Sequence, residues 1–151
     1  MQNRRETLKQ TAVLAALLAS AGFPQFAHAA YNKQAFDAKS VQEAARAAGA
    51  RSMTESRDVI LTALDVAEDG AAVPLGISTA LPNVRQLLLL VEKNPSALVA
   101  MFQVTDSIEA NFAIRAKMGQ SSDVYAVAIM NDGRALWTKK EVKVTLGGCA
   151  A

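Results

Sequence analysis

The sequence predicts an all-β protein: an antiparallel sandwich of about seven strands, preceded by one short helix and followed by a mobile C-terminal arm. Three observations lead to this prediction. From Ser56 onward, apolar residues recur with a period of two, which is typical of strands. Turn residues interrupt that pattern every 8 to 12 residues or so, the spacing expected of a sandwich. A single helical pattern comes before all the strands, which disfavours an alternating α/β arrangement.

Residues 1–30 have the layout of a cleaved export signal. A charged start containing Arg4-Arg5 is followed by an apolar run over residues 12–21 and by small residues around His28 at the cleavage position. The run is shorter than the roughly 20 residues that span a bilayer, so we expect no membrane attachment after cleavage. The paired arginines resemble a twin-arginine signal, although Thr7 stands where such signals usually have an apolar residue. We therefore predict export, with the twin-arginine route indicated.

The composition of the remaining domain excludes several classes of function. Removing Arg4, Arg5 and Lys9 from the 16 basic residues and Glu6 from the 14 acidic ones leaves 13 of each, so the domain is neutral. A neutral domain without a basic stripe is not expected to bind nucleic acid. The only histidine, His28, lies in the export segment, which excludes Ser-His and Cys-His mechanisms and His-ligated metal sites. We predict neither a metal nor a cofactor.

The domain, residues 31–146, is expected to begin with a loose segment from Tyr31 to Lys39. Ser40 and Glu43 then form a capping box, in which their side chains bind free backbone amides at the start of a helix. Apolar residues follow at helical spacing, and Gly49 ends the helix. We expect this short, alanine-rich helix to lie against the rest of the fold.

The strands are predicted from apolar runs that turn residues separate. The first, residues 59–66, is apolar on both faces, and Glu68-Asp69-Gly70 turns the chain after it. Pro74 interrupts the second strand and predicts an edge position or a bulge, because proline cannot donate to a ladder. The run Leu87–Val91 is continuously apolar, as in a sandwich interior. The later strands are expected at residues 72–78, 84–92, 97–104, 108–117, 123–130 and 134–146, with a turn at Asn131-Asp132-Gly133 and a kink near Lys139.

Cys149 is the only cysteine and the most informative candidate for chemistry. Gly147 and Gly148 end the last strand, so Cys149 can reach up to ~10 Å beyond Leu146. An exported chain with one cysteine cannot form an internal disulfide. The thiol has no histidine to serve as its base, so a covalent attachment point used by other enzymes fits better than a self-activated nucleophile.

A second interpretation stays open: an exported binding or structural module whose Cys149 forms an intermolecular disulfide or has no role. Three lysines lie just before the arm: Lys139, Lys140 and Lys143. Two interpretations of them are equally supported: they attract anions towards the arm, or they form an ordinary solvated strand face. A partner could bind at the apolar run Leu87–Leu90 or at the first strand.

Other residues have simpler interpretations. Glu68 and Asp69 are expected in a turn and not as a catalytic carboxylate pair. Trp137 is expected in a buried position in preference to an interface. The methionines are too scattered for a copper site and are assigned to the core: Met101, Met118 and Met130.

The ending Val142-Lys143-Val144-Thr145-Leu146-Gly147-Gly148-Cys149 resembles the end of the SoxY family, sulfur carriers of the periplasmic thiosulfate-oxidising system. The resemblance extends along the chain, through the twin-arginine-like leader, the early helix, Val73-Pro74, residues 90–95 and residues 114–118. It implies an immunoglobulin-like sandwich that pairs with a SoxZ-like sandwich subunit in the periplasm.

The resemblance also implies a role for the arm. Cys149 would carry sulfur intermediates as a covalent adduct, without a further cofactor, and Gly147 and Gly148 would form the hinge. A SoxXA-like haem protein would load thiosulfate, a SoxB-like hydrolase would release sulfate, and a sulfane dehydrogenase would oxidise the remaining sulfur. Ala150 and Ala151 complete the arm where the family usually has two glycines, and alanine restricts the backbone more.

Overall fold

The computed structural model describes residues 32–146, which contain two short helices and nine strands. The export segment and the arm lie outside the described residues. The all-β prediction is confirmed, with two more strands than expected. The helices are α1 (Lys33–Asp37) and α2 (Val41–Ala47), and the strands are β1 (Ser52–Glu55), β2 (Val59–Ala63), β3 (Val66–Asp69), β4 (Val73–Thr79), β5 (Val84–Val91), β6 (Leu98–Gln103), β7 (Asn111–Ala116), β8 (Ser122–Met130) and β9 (Arg134–Leu146).

The strands form two sheets packed face to face, as in an immunoglobulin-like sandwich. The large sheet has the order β1-β9-β8-β5-β6, and β3 also pairs with β9; the small sheet has the order β2-β4-β7. Between the sheets lies an apolar core to which nearly every strand contributes. The two helices cover the other face of the large sheet and close a second apolar cluster there. Residues 32–146 therefore form three layers, with the large sheet in the middle.

Strand β5 is apolar on both faces because both faces are buried. Leu87 and Leu89 face the small sheet, whereas Leu88 and Leu90 face the helices, and all four are fully buried. The expectation of a sandwich interior for Leu87–Val91 is confirmed. Small alanines of the helices, such as Ala44 and Ala45, let the helix backbone approach the sheet closely.

The edge of β9 is shared by two strands that run parallel to it, which departs from the purely antiparallel prediction. β1 pairs with residues 134–137 and β3 with residues 143–146. Between these two strands the chain leaves the large sheet and forms β2 in the small one. The predicted strand 59–66 is therefore two strands, since the chain bends at Leu64-Asp65 to return to β9. β1 was not predicted.

The prediction of a loose segment up to Lys39 is wrong, because residues 33–37 form α1. The Asn32 side chain accepts a hydrogen bond from Ala35 N at 3.1 Å and donates to Ala47 O at 2.8 Å, so one amide connects the two helices. α2 begins as predicted: Ser40 Oγ accepts from Glu43 N at 3.2 Å. The Glu43 carboxylate binds the amide of Lys39, one residue before the usual capping-box partner.

Pro74 lies in the central strand of the small sheet, so the predicted edge position is wrong. The strand tolerates it because the pairing with β2 ends at Ala63 and Leu75, and Leu75 is the residue after the proline, so Pro74 itself has no partner in β2. Glu68 and Asp69 belong to β3, and the turn begins at Gly70. The expected kink near Lys139 is also absent, since the register between β8 and β9 runs unbroken from Ser122 to Ile129.

The remaining predicted boundaries agree to within a few residues. α2 ends before Gly49, and Gly133 closes the turn between β8 and β9; both glycines have positive φ. The Gly133 amide donates to Met130 O at 3.0 Å.

Within residues 32–146, neither helix has the length and apolarity needed to cross a membrane.

The double burial of the large sheet gives a direct prediction for stability. Leu89→Ala should lower the free energy of unfolding by about 2–5 kcal/mol, because a fully buried side chain is lost and a cavity remains. Ile60→Ala is the matched control, since Ile60 is 55% exposed and should cost less than about 1 kcal/mol. Urea denaturation measures both. Equal losses in the two variants would contradict the assignment of Leu89 to the core.

Candidate functional site

The residues predicted to carry the chemistry lie outside the described residues: Gly147, Gly148, Cys149, Ala150 and Ala151. The structure does describe β9, the strand that leads to them. Its inward-facing side chains change from fully buried at Val142 to half-buried at Val144. Leu146 is 70% exposed. The strand therefore passes beyond the core at Leu146, and the segment with Cys149 begins at the boundary of the domain.

The end of β9 is held by β3. Lys143 N donates to Asp65 O at 3.0 Å, and Gly70 N donates to Leu146 O at 2.8 Å, so hydrogen bonds run along the last four residues of the strand. Thr145 Oγ1 adds a bond to Glu68 O at 2.9 Å. These contacts fix the point from which the arm starts.

Ser121 holds the same part of β9 from the segment that precedes β8. Its hydroxyl accepts a hydrogen bond from Val144 N at 2.9 Å. Sequence reasoning missed both Ser121 and β3 as supports of the arm. The available signal was Asp65, a charged residue in an otherwise apolar run, which marks the bend between β2 and β3.

Two of the three lysines before the arm are engaged in ion pairs. Lys139 Nζ lies 2.7 Å from Asp123 Oδ2 and 5.7 Å from the centre of the Tyr125 ring. The hydrogen bond to Asp123 raises the pKa of Lys139, while burial raises the pKa of Tyr125. These two contacts connect β9 to β8, so Lys139 is part of the strand pairing and not a free anion receptor.

Lys140 connects β9 to the bend between β2 and β3. Its Nζ donates to Ala63 O at 2.7 Å and lies 2.9 Å from Asp65 Oδ1. The hydrogen bond and the charge of Lys140 lower the pKa of Asp65. Lys143 is exposed and forms no ion pair with residues 32–146. Contacts within the chain therefore occupy Lys139 and Lys140, which disfavours an anion site there, and the solvated strand face describes Lys143.

Of the two locations expected for a partner surface, only one is exposed to solvent. Leu87–Leu90 is fully buried, so it cannot form a surface, and that expectation is wrong. β2 does present Ile60 to solvent, next to a groove of about 350 Å³ on the outer face of the small sheet. The groove is lined by residues of all three strands, among them Thr62, Gly76 and Ala113.

The other candidates lie in structural positions. Met118 and Met130 are buried and Met101 is half-buried, as predicted for core residues. Trp137 is half-buried on the helix side, where its ring centre lies 5.6 Å from that of Tyr125. Within residues 32–146, no group of three or more His, Cys, Asp or Glu side chains is placed to hold a metal ion.

Comparison with known proteins assigns the family. The family model of the sulfur oxidation protein SoxY matches residues 44–149, more than two thirds of the chain. The chain belongs to the SoxY family. The match begins within α2 and ends at Cys149, so it includes Gly147 and Gly148 and leaves out Ala150 and Ala151. Among curated proteins, none matches the chain significantly.

Solved structures agree with this assignment. The sulfur carrier protein SoxY from Chlorobium limicola f thiosulfatophilum is 28% identical, with a TM-score of 0.57 over 62% of this chain and 84% of that one. A superoxide reductase (neelaredoxin) from Ignicoccus hospitalis is 18% identical, with a TM-score of 0.51 over 58% of this chain and 80% of that one. At that identity, the second similarity concerns the fold alone.

The pair of Lys140 and Asp65 gives a prediction for this SoxY-family chain. Lys140→Gln should raise the pKa of Asp65 towards its usual value of 3.8, because the hydrogen bond and the charge that lower it are removed. A carboxyl whose pKa is lower in the folded state than in the unfolded state stabilises the fold at pH values above the unfolded-state pKa. That stabilisation is lost as the pH falls through the folded-state pKa. The variant lacks it, so its stability should fall less in acid.

NMR titration of the Asp65 carboxyl carbon measures the shift. Lys143→Gln is the matched control, because Lys143 lies three residues further along the same strand without an ion pair to the described residues. An Asp65 pKa that is the same in the native chain and in Lys140→Gln would show that the pair does not form in solution.

Proposed function

We propose that this chain carries sulfur intermediates of thiosulfate oxidation as a covalent adduct on Cys149. The observation that supports the proposal most is the SoxY-family match, which extends to Cys149, the only cysteine in the sequence. The similar Chlorobium protein is described as a sulfur carrier. The anchored end of β9 supports the same role, because a carrier needs a firm base from which a short segment can enter a partner's cleft.

The loading step is an oxidation that the chain cannot perform by itself. The Cys149 thiolate and thiosulfate form a new S–S bond, giving a cysteine S-thiosulfonate, and release two electrons. A haem protein of the SoxXA type accepts the electrons. A hydrolase of the SoxB type then adds water to the terminal sulfone group, releasing sulfate and two protons and leaving a persulfide on Cys149. A sulfane dehydrogenase oxidises that remaining sulfur.

The chemistry of the chain itself fits a carrier that other enzymes act on. The sequence has one histidine, His28, so Cys149 has no imidazole base within residues 31–151. The lysines nearest the base of the arm are paired, at Lys140, or lie on the exposed strand face, at Lys143. Activation therefore comes from the partner enzymes.

The partners and the compartment follow from the same role. We propose that residues 1–30 are a twin-arginine signal that directs export to the periplasm and is then cleaved, and that the domain forms a stable complex with a SoxZ-like sandwich subunit. Gly147 and Gly148 act as the hinge of the arm. Ala150 and Ala151 are small enough to pass a narrow channel, although they restrict the backbone more than glycine does.

The adduct is directly measurable. Intact-mass spectrometry of the native exported protein should show a mass increase on Cys149 that a thiol reductant removes, and Cys149→Ser should show none and should lose thiosulfate-dependent activity. A thiol that stays unmodified after incubation with thiosulfate and the partner enzymes would contradict the carrier role. It would favour a binding module in which Cys149 has no role in sulfur transfer.

The complex with a second sandwich subunit should not depend on the thiol. We expect the native chain and Cys149→Ser to copurify with that subunit equally, with and without reductant, because folded surfaces and not a disulfide hold the two together. Size-exclusion chromatography followed by mass spectrometry of the peak measures this. A complex that reductant dissociates, or that Cys149→Ser cannot form, would indicate an intermolecular disulfide instead.

A further inference from the structure

Three arginines line a cavity of about 490 Å³ where β9 begins. Arg46 comes from the last turn of α2, Arg51 directly precedes β1, and Arg85 lies in β5. The turn between β8 and β9 closes the other side. Because β9 has 13 residues, this cavity is roughly 40 Å from Leu146, where the arm begins. The cavity is therefore at the opposite end of β9 from Leu146.

The loops around the cavity are shaped to seat two of these side chains. Gly49 and Gly133 have φ of 101° and 88°, a region that favours glycine. A Cβ on Gly49 would lie 2.6 Å from Arg85 Nη2, and one on Gly133 would lie 3.0 Å from Arg51 Cδ. Arg85 Nη2 also donates to Ala48 O at 3.3 Å. Both arginines thus rest directly on the backbone of a turn.

The positive charge in this cavity is not compensated by the described part of the chain. The carboxylate that lines it, Asp132, is bound by Arg134, with Nε 2.7 Å from Oδ2 and the amide 2.9 Å from Oδ1. Within residues 32–146, none of the three lining arginines forms an ion pair. Three cationic side chains around one cavity, without an ion-pair partner in the described residues, favour an anion there.

One donor in the cluster also lacks a partner. Arg85 Nε is buried and forms no hydrogen bond with the described residues. A buried polar group without a partner is costly, and guanidinium groups are costlier than neutral ones. The side chain nevertheless stays in this position, beside a glycine that makes space for it. Arg85 is thus held as one wall of the cavity by its contact with Gly49 and its bond to Ala48 O, with hydrogen-bonding capacity left unused.

We propose that this cavity binds a small doubly charged oxoanion of the sulfate class, such as sulfate or thiosulfate. The planar donor fork of arginine matches two oxygens of such an anion, and charge-assisted bonds of this kind are the strong ones. Arg46 and Arg51 are exposed and can close on the anion, while the half-buried Arg85 forms the fixed wall. This proposal does not depend on the carrier role of Cys149.

Backbone NMR of the exported protein tests the site. Sodium sulfate is titrated at constant ionic strength, with sodium chloride as the balancing salt, because screening alone would shift exposed amides. We expect saturable shifts confined to residues 46–51, 85 and 131–134. Thiosulfate should compete for the same amides. Shifts that are linear in sulfate, or identical in chloride, would overturn the proposal.

Variants separate this site from general charge effects. Arg51→Gln and Arg46→Gln should each weaken sulfate binding at least about tenfold, the loss expected for one charge-assisted contact. Arg115→Gln is the matched control, since Arg115 is an exposed arginine on β7 outside the cavity, and it should leave the affinity unchanged. Equal weakening in all three variants would overturn the site. Binding of succinate but not of sulfate would do the same, because the cavity would then recognise carboxylates of a partner protein.

Discussion

The need to bury both faces of the large sheet determines the arrangement of the other elements. β5 and β8 carry apolar residues at successive positions, so one covering layer would leave half of them in water. The small sheet covers one face and the two helices cover the other. This requirement explains why α2 is rich in alanine. It also explains why Asn32, the N-cap residue of α1, forms a hydrogen bond with the end of α2. The helices are short, yet the core cannot close without them.

β9 has a corresponding role at the edge of the sheet. It pairs with β8 along most of its length, and its other edge is occupied first by β1 and later by β3. Lys140 reaches the chain between these two strands through Ala63 O and Asp65. One strand therefore connects the arginine cavity at its start with the base of the arm at its end. The cavity adjoins the start of β9 but is lined by residues outside the strand, so the two sites share no residue.

Local patterns in the sequence were sufficient for most of the strands. The period of two placed β7, and the apolar run placed β5, because each depends on side chains within one segment. α1 was missed since its five residues are stabilised by contacts with distant parts of the chain, including the hydrogen bond that Ser96 Oγ donates to Phe36 O. The parallel pairing on β9 and the grouping of Arg46, Arg51 and Arg85 could not be predicted either, because they join residues far apart in the chain. The interpretation of Cys149, by contrast, came from the sequence, and the structure adds the strand that supports it.

The pairing of β3 with the end of β9 has a mechanical consequence. The hydrogen bonds that hold residues 143–146 run across the strand axis, to β3 on one side. A force applied to Leu146 along the strand would load these bonds together in shear and would not open them one after another. Tension on the strand end is thereby resisted where β3 pairs with β9, before it reaches the core behind it.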